Sequence, residues 1–471
     1  MKILLTGATG YIGKRLLPLL VEQGHHVVCC VRDPKRFNPV DSIKPFVDII
    51  KVDFLKADTL NAIPKDIDAA YYLIHSMSNS KEYDKLEETS ARHFKDYIDQ
   101  TALQQVIYLS GIVNEEELSK HLQSRKNVEN ILGSGRFNLT TFRAGIIMGS
   151  GSASFEIIRD LVEKLPVMIA PKWLNTKCQP IGIRDVLSFL EKSLLNEKVY
   201  NKNFDIGGPD ILTYKEMLLQ FAKVRKLKRW IFTVPVMTPR LSSYWLYFVT
   251  STSYMLAASL VESMTIEVVC RDQKINQLLD IYPEGYIRTI ERAFVKIEEN
   301  QIVSSWKDAQ ISGVRNINIS DFIDVPDYGC FKDTQESKFE NRDSVVEKIW
   351  SIGGDNGWYY ANGLWKLRGY MDKLVGGVGL RRGRTNSNAL LVGDALDFWR
   401  VLYADKSEGR LLLFAEMKLP GDAWLEFKIS GDTLIQTATF RPLGLSGRLY
   451  WYSVLPFHGF IFKGMISKLT E

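Results

Sequence analysis

Three glycines at intervals of three, in Gly7-Ala-Thr-Gly10-Tyr-Ile-Gly13, are the residues whose type and spacing most plainly serve chemistry. Glycine lets a backbone turn tightly and approach a ligand, and the N–H groups opening a helix are free to bind an anion. The run follows the apolar strand pattern Lys2-Ile-Leu-Leu-Thr6 and precedes a helical pattern over 14–24. Strand, glycine turn and helix in that order cradle a pyrophosphate. Gly7, Thr9, Gly10, Tyr11, Ile12 and Gly13 are therefore expected to hold a dinucleotide. A second strand, His26-Val-Val-Cys-Cys-Val31, leads into Arg32. A guanidinium there accommodates a 2′-phosphate and favours NADP, through a contact worth about 1.5–3 kcal/mol. Asp33 beside it can reach a ribose hydroxyl, so NAD stays open.

The elements that must position these residues alternate along the first 150 positions. Strand patterns fall at 2–6, 26–31, 49–52, 69–74, 106–109 and 139–143, with helical patterns between them, notably over 83–100 and 123–132. Such alternation predicts a doubly wound parallel sheet with helices on both faces and ligands at the carboxyl ends of its strands. From about Gly149 the pattern loosens into helices over 154–165, 185–195 and 214–224, with 166–180 read as a loop and 203–209 as a returning strand and turn.

With Thr6-Gly-Ala-Thr-Gly-Tyr-Ile-Gly13 in this setting, the chain resembles the short-chain dehydrogenase/reductase superfamily in its extended and atypical branches. That resemblance implies a Rossmann domain over 1–150, a substrate-side region over 151–313, and further cofactor contacts. Asp53, ending the third strand, would accept from the adenine amino group. His75 and Ser76, after the fourth strand, would pass beneath the nicotinamide ribose. Arg143-Ala-Gly145 would close over the carboxamide, and Gln179-Pro-Ile-Gly-Ile-Arg184-Asp185 would return near the site. The best-known members end strand five with a serine and carry Tyr-x-x-x-Lys on the next helix. Here Ser110 keeps its place, but the helix reads His121-Leu-Gln-Ser-Arg125. Residues four apart share one helical face, so His121 and Arg125 can both face the site. Histidine can act as a general acid near neutrality, whereas arginine holds phosphate or ribose but exchanges no proton. The catalytic candidates are Ser110, His121 and Arg125. Gly207-Gly-Pro-Asp-Ile-Leu-Thr-Tyr214 and Val234-Pro-Val-Met-Thr-Pro-Arg-Leu-Ser-Ser-Tyr-Trp245 also resemble the atypical subunit of respiratory complex I, which implies nucleotide binding without turnover.

A further domain is expected over 314–471. After a glycine-rich run between Gly353 and Gly383 come strand patterns at 395–402, 411–418, 423–429 and 433–440, then one long helical pattern over 446–469. Arg368-Gly-Tyr-Met-Asp-Lys-Leu374, Gly383-Arg384, Asp397-Phe-Trp-Arg-Val401 and Leu455-Pro-Phe-His-Gly-Phe-Ile-Phe462 resemble an uncharacterised domain family found fused behind atypical short-chain reductases in bacteria. The resemblance implies an α+β helix-grip fold of the START and polyketide-cyclase type. Trp399, Trp424, Tyr450, Trp451, Tyr452, Phe457 and Phe462 are then either its core or the lining of an apolar cavity.

Composition narrows the function classes. A net charge of +5 over 471 residues is too slight to argue for nucleic acid. Cys29, Cys30, Cys178, Cys270 and Cys330 lack metal spacing and, being odd in number, build no disulfide framework. That fits a reducing cytoplasm and no bound metal. The uncharged, aromatic-rich stretch 241–261 reads first as a buried or pocket-lining segment, next as a membrane-surface patch, and last as a transmembrane helix. The leading expectation is an NADP-dependent atypical oxidoreductase acting on a bulky apolar substrate. A non-catalytic NADP-binding sensor or scaffold and a lipid-binding protein at the membrane surface are the alternatives. Substrate and oligomeric state are not legible.

Overall fold

The computed structural model describes residues 1–34, 37, 39, 42–74, 83–113, 120–234, 261–298, 325, 330–379, 390–442 and 444–471. The chain divides into two compact units, Met1–Gln310 and Ile311–Glu471.

Short, β-branched and apolar runs in the first unit pair into a seven-stranded parallel sheet. Its strands are β1 (Lys2–Leu5), β2 (His26–Val31), β3 (Val47–Lys51), β4 (Ala69–Tyr72), β5 (Gln105–Gly111), β6 (Asn138–Ala144) and the returning Lys202–Ile206, in the order returning strand, β6, β5, β4, β1, β2, β3. Burial on both faces explains their near-continuous apolar sequences. Helices α1 (Gly13–Glu22) and α5 (Ile183–Lys192) cover one face around Leu5, Val27, Cys29 and Ile107. Helices α2 (Tyr83–Ile98) and α3 (Lys120–Gly133) cover the other around Leu4, Val28, Tyr72 and Tyr108. Strand order reverses between β1 and β4, and a doubly wound sheet opens its ligand crevice at that point.

A second core lies under the substrate-side region, formed by α4 (Ala153–Lys164), α6 (Tyr214–Val224) and α8 (Tyr286–Glu298), with α7 (Lys274–Leu279) packed on the first core. The expected loop over 166–180 is in part a strand. Val167–Pro171 (β7) pairs in parallel with Trp230–Val234 (β9), the returning Lys202–Ile206 being β8 between them in sequence. The reason is alternation that runs apolar on both sides: Met168 and Ala170 are buried, while Val167, Ile169, Trp230 and Phe232 stand half exposed. The stretch 241–261 lies outside the described residues except for Val261, which is buried.

The second unit is a six-stranded antiparallel sheet with one long helix. Its strands are β10 (Phe331–Lys338), β11 (Ala395–Leu396), β12 (Trp399–Asp405), β13 (Arg410–Ala415), β14 (Gly421–Ser430) and β15 (Thr433–Pro442), in the order β10, β15, β14, β13, β12, β11. Helices α9 (Arg342–Trp350) and α10 (Asn362–Leu374) precede β11, and α11 (Gly444–Thr470) runs through Pro456 to the end. Leu411, Leu413, Leu425, Phe427 and Ala438 share the sheet face that receives Phe462, Met465, Ile466 and Leu469 of α11. Strand period then puts Trp424 on the opposite face, with Leu402 and Leu412, so it lines nothing beneath the helix. Tyr452 and Phe457 are also corrected: they are 61% and 56% exposed on α11. Trp399, Trp451 and Phe462 are buried as core.

Candidate functional site

The glycine turn is built to a tolerance that no side chain meets. Gly7 has φ +68°, and a Cβ there would stand 2.6 Å from the carbonyl oxygen of Leu73. A Cβ on Gly13 would stand 2.3 Å from the Gly7 carbonyl oxygen. Thr6, fully buried, locks the turn onto β4: its hydroxyl donates to the Tyr71 carbonyl at 3.0 Å and accepts from the Leu73 N–H at 3.1 Å. Helix α1 opens at Ile12 with no side-chain cap and no acidic residue in its first turn. The N–H groups of Lys14 and Arg15 turn back to the Gly10 and Ile12 carbonyls, so those of Ile12 and Gly13 are the ones offered to an anion. Tightly apposed glycines and an uncapped helix start fit a pyrophosphate.

Around the turn, Thr9 is exposed at the tip and Tyr11 is half buried. The Arg15 guanidinium lies 4.0 Å from the centre of the Tyr11 ring and donates to the Ser150 carbonyl at 2.9 Å. Burial pushes the Tyr11 hydroxyl up to about 12, with Arg15 and a hydrogen bond to Ser152 pulling against it and Glu156 adding to it. Arg32 is exposed one residue past β2, beside half-buried Asp33. Asp53 is half buried, and its Oδ1 accepts the Leu55 N–H at 3.2 Å, which shapes the loop after β3. His75 and Ser76 lie outside the described residues, as does the side chain of His121, whose backbone is in the first turn of α3.

Ser110 and Arg125 flank a residue that sequence reasoning missed, Tyr108, whose hydroxyl lies 3.5 Å from the Arg125 carbonyl oxygen. Ser110 is the penultimate residue of β5 and buried. Two residues earlier on the same strand face, Tyr108 is fully buried. Burial raises its hydroxyl, and the Arg125 guanidinium and Ser110 hydroxyl pull it part-way back. Arg125 also donates to the Leu109 carbonyl at 3.3 Å. Tyr72, opposite Tyr108 on β4, packs its ring edge-on at 5.9 Å. Helix α3 carries no tyrosine; the one beside Arg125 stands on the strand beneath it. The signal was there in the i, i+2 spacing of Tyr108 and Ser110, which places both on the α3 side of the sheet.

Two resemblance-based expectations fare differently. Arg143 is committed elsewhere: its guanidinium grips Glu129 of α3 through two bonds of 3.0 and 2.8 Å, which makes it a tie between β6 and α3. The 179–185 segment does return to the strand ends, where Gln179 donates to the Gly208 carbonyl at 2.7 Å and accepts the Cys270 N–H at 2.9 Å. Asp185 accepts the Glu284 N–H at 3.2 Å. Burial raises its carboxyl from 3.8 to about 6, outweighing that bond. The fold thus favours protonated Asp185. This stabilisation is complete below about pH 4 and disappears as pH rises through about 6. Allowing for partial exposure, it amounts to about 1–2 kcal/mol. Asp185→Asn, which keeps the acceptor oxygen, is expected to be more stable than the parent by that amount at pH 7.5 and equal to it at pH 4, as read by urea unfolding. An equal difference at both values would contradict the assignment.

In the second unit, His458 lies with its Nδ1 4.0 Å from Asp333 Oδ2, and burial pulls its imidazole down. Glu426 points to the other face of the sheet and pairs with Arg410 at 2.8 Å. Among the described residues, no helix is long and apolar enough to cross a membrane.

Comparison with known proteins agrees with this geometry. Residues 7–143 match the NAD(P)H-binding family model, and residues 329–465 match a family described as protein of unknown function (DUF2867). A nucleoside-diphosphate-sugar epimerase from Staphylococcus aureus superposes with a TM-score of 0.51 at 15% identity, over 62% of this chain and 100% of that one. An epimerase from Methanothermobacter thermautotrophicus gives 0.51 at 12% identity, over 64% and 93%. At these identities the likeness is one of fold. An uncharacterised protein of Saccharomyces cerevisiae is 31% identical over 81 residues, 17% of this chain and 27% of its own length, so the chain spans about a quarter of that relative. Residues 7–143 have the Rossmann fold and match the NAD(P)H-binding family model.

Proposed function

We propose that the first unit is an atypical NADP-dependent oxidoreductase that reduces or oxidises a carbonyl or alkene on a bulky apolar substrate. The observation that carries this reading is the placement of Ser110 at the carboxyl end of β5, two strands from the glycine turn, with the Arg125 guanidinium on the Leu109 carbonyl beside it and the Tyr108 hydroxyl on the Arg125 carbonyl. A nicotinamide cofactor, when bound, supplies or accepts the hydride. Gly7, Gly10 and Gly13 admit its pyrophosphate to the start of α1, and Arg32 meets its 2′-phosphate. Ser110 donates a hydrogen bond to the substrate oxygen and passes it a proton. Solvent entering the crevice restores that proton, while Tyr108, buried beneath Ser110, and Arg125, which donates to the Leu109 carbonyl, hold the end of β5 in place. His121, one helical turn before Arg125, is the alternative acid. A bulky apolar substrate is supported by the half-exposed apolar ribbon of β7 and β9 and by the uncharged aromatic stretch 241–261.

Thermal unfolding with NADPH, NADH or neither tests the first half of this reading. A ligand confined to the native state, at a hundredfold excess over Kd, stabilises it by about 2.7 kcal/mol. A larger shift with NADPH, lost in Arg32→Glu, is expected. Turnover against quinones, isoprenoid ketones and steroid-like ketones tests the second half. Ser110→Ala is expected to lower the rate by about 10²-fold at unchanged NADPH binding. The absence of NADPH consumption with every substrate class would remove the catalytic reading.

A second reading has its own support: α3 carries neither the tyrosine nor the lysine of the best-known members, and Arg125 spends a donor on the Leu109 carbonyl. The nucleotide would then be a structural or sensory ligand. Tight NADPH binding with no phenotype in Ser110→Ala, Tyr108→Phe or His121→Ala would favour it.

A further inference from the structure

We propose that the second unit docks onto an anionic lipid surface through the exposed sides of α10 and α11. The proposal stands independently of the nucleotide site and concerns other residues than 241–261.

Helix α10 buries one side, with Trp365, Gly369 and Asp372 turned inward. On its other side Leu367, Tyr370, Met371 and Leu374, continued by Val375, are each at least half exposed. Their spacing of three, one, three and one places them on a single helical face. Helix α11 repeats the arrangement. Trp451, Phe462, Met465, Ile466 and Leu469 are buried, while Leu449, Tyr452, Leu455, Phe457 and Phe460 stand out to solvent. The two helices are neighbours: the Arg368 guanidinium lies 5.3 Å from the centre of the Tyr450 ring, and the Trp365 and Phe462 rings are 6.3 Å apart. Apolar exposure of this extent on adjacent elements marks a surface meant to be covered.

Charge says what covers it. Over its whole length α11 contains no acidic residue; Lys468 pairs with Glu471 just past its end at 2.6 Å, while Arg448 and Lys463, both exposed, bracket the exposed apolar stretch. Helix α10 contributes exposed Lys366, with Lys373 half exposed; Arg368 is half buried against Met417 and Tyr450. Its one acidic residue, Asp372, is 2% exposed and accepts the N–H groups of Gly379 at 2.8 Å and Lys418 at 2.7 Å. The carboxylate is thereby spent inside the fold, and the outward side of both helices is apolar and cationic. A second copy of the same face would set these cations against one another. An anionic headgroup layer over acyl chains satisfies both components at once, with the helices lying along the interface. Neither helix is apolar enough to span the bilayer.

The test is flotation of the full chain with phosphatidylcholine vesicles and with vesicles of phosphatidylcholine and phosphatidylglycerol at three to one. Binding to the mixed vesicles is expected to exceed binding to phosphatidylcholine at least tenfold and to fall as salt rises. The double variant Leu367→Glu/Met371→Glu should lose at least tenfold in binding, and Leu449→Glu/Phe460→Glu should do the same from the other helix. Ile169→Glu, in the first unit, should leave binding unchanged. These side chains are exposed, so unchanged thermal unfolding separates lost docking from lost folding. Failure of the parent chain to float with the mixed vesicles, equal binding to both compositions, or full binding by both double variants overturns the proposal. So does a concentration-dependent dimer that dissociates in the variants while vesicles are ignored, which would make the face a self-association surface.

Discussion

Gly13→Ala is expected to bind a nicotinamide dinucleotide at least about 100-fold more weakly than the parent chain. The reason is steric. An alanine Cβ at that position stands 2.3 Å from the Gly7 carbonyl oxygen and 2.9 Å from the Ala8 Cα. Both contacts are with backbone, so no side-chain rotation relieves them. Either α1 withdraws from the turn or the turn opens, and both carry the leading N–H groups of the helix away from the position where a pyrophosphate would lie. Overpacking of this kind costs roughly 1–3 kcal/mol of stability. The larger consequence is for binding, where the stabilisation of about 2.7 kcal/mol conferred by NADPH at a hundredfold excess over the parent's Kd should vanish. Unfolding of the variant with and without nucleotide checks both terms together. A full nucleotide shift in Gly13→Ala would mean that the turn is a tight connection and not a cradle.

Glu416→Gln destabilises the second unit by about 3–5 kcal/mol. Arg400 is fully buried, and its Nε and one terminal nitrogen each lie 3.1 Å from a Glu416 carboxylate oxygen, while its other terminal nitrogen donates to the Gly393 carbonyl at 2.7 Å. The charge of Glu416 compensates that of Arg400 in a place where water does not reach either. Removing one charge leaves the other buried and unpaired, which is far more costly than losing a hydrogen bond. Replacing both at once, Arg400→Met with Glu416→Leu, takes away the desolvation cost along with the attraction, and should return stability to within about 1 kcal/mol of the parent or above it. Denaturant unfolding followed by tryptophan fluorescence distinguishes the cases. If Glu416→Gln alone were within about 1 kcal/mol of the parent, the pair would not be desolvated in solution as its burial indicates.

Much of the first unit was legible because a parallel sheet writes itself plainly. Runs such as Ile3-Leu4-Leu5 and Val27-Val28-Cys29-Cys30 are apolar on both faces because helices cover both, and each is punctuated by a glycine or polar turn. The second unit was legible where one face only is buried, as in β14, and obscure where that contrast fails. Strand β10 reads Phe331-Lys-Asp-Thr-Gln-Glu-Ser-Lys338, with too few apolar residues for a period of two to register, yet it pairs with β15 along its full length. Helix α10 was hidden among glycines whose irregular spacing resembles a loop.

The cofactor cradle was determined by sequence alone, because a glycine trio between a strand and a helix constrains the backbone locally and needs no distant partner. Local pattern likewise determined the alternating elements and the long final helix. Tertiary structure decided which polar groups meet. It set the Tyr108 hydroxyl against the Arg125 carbonyl, gave Arg143 to Glu129, turned Trp424 away from α11, and left Tyr452 and Phe457 facing solvent. Each of these outcomes depends on strand register or on the rotation of a helix against its neighbour. Both are set by packing between segments far apart in the chain, which spacing along one segment does not encode.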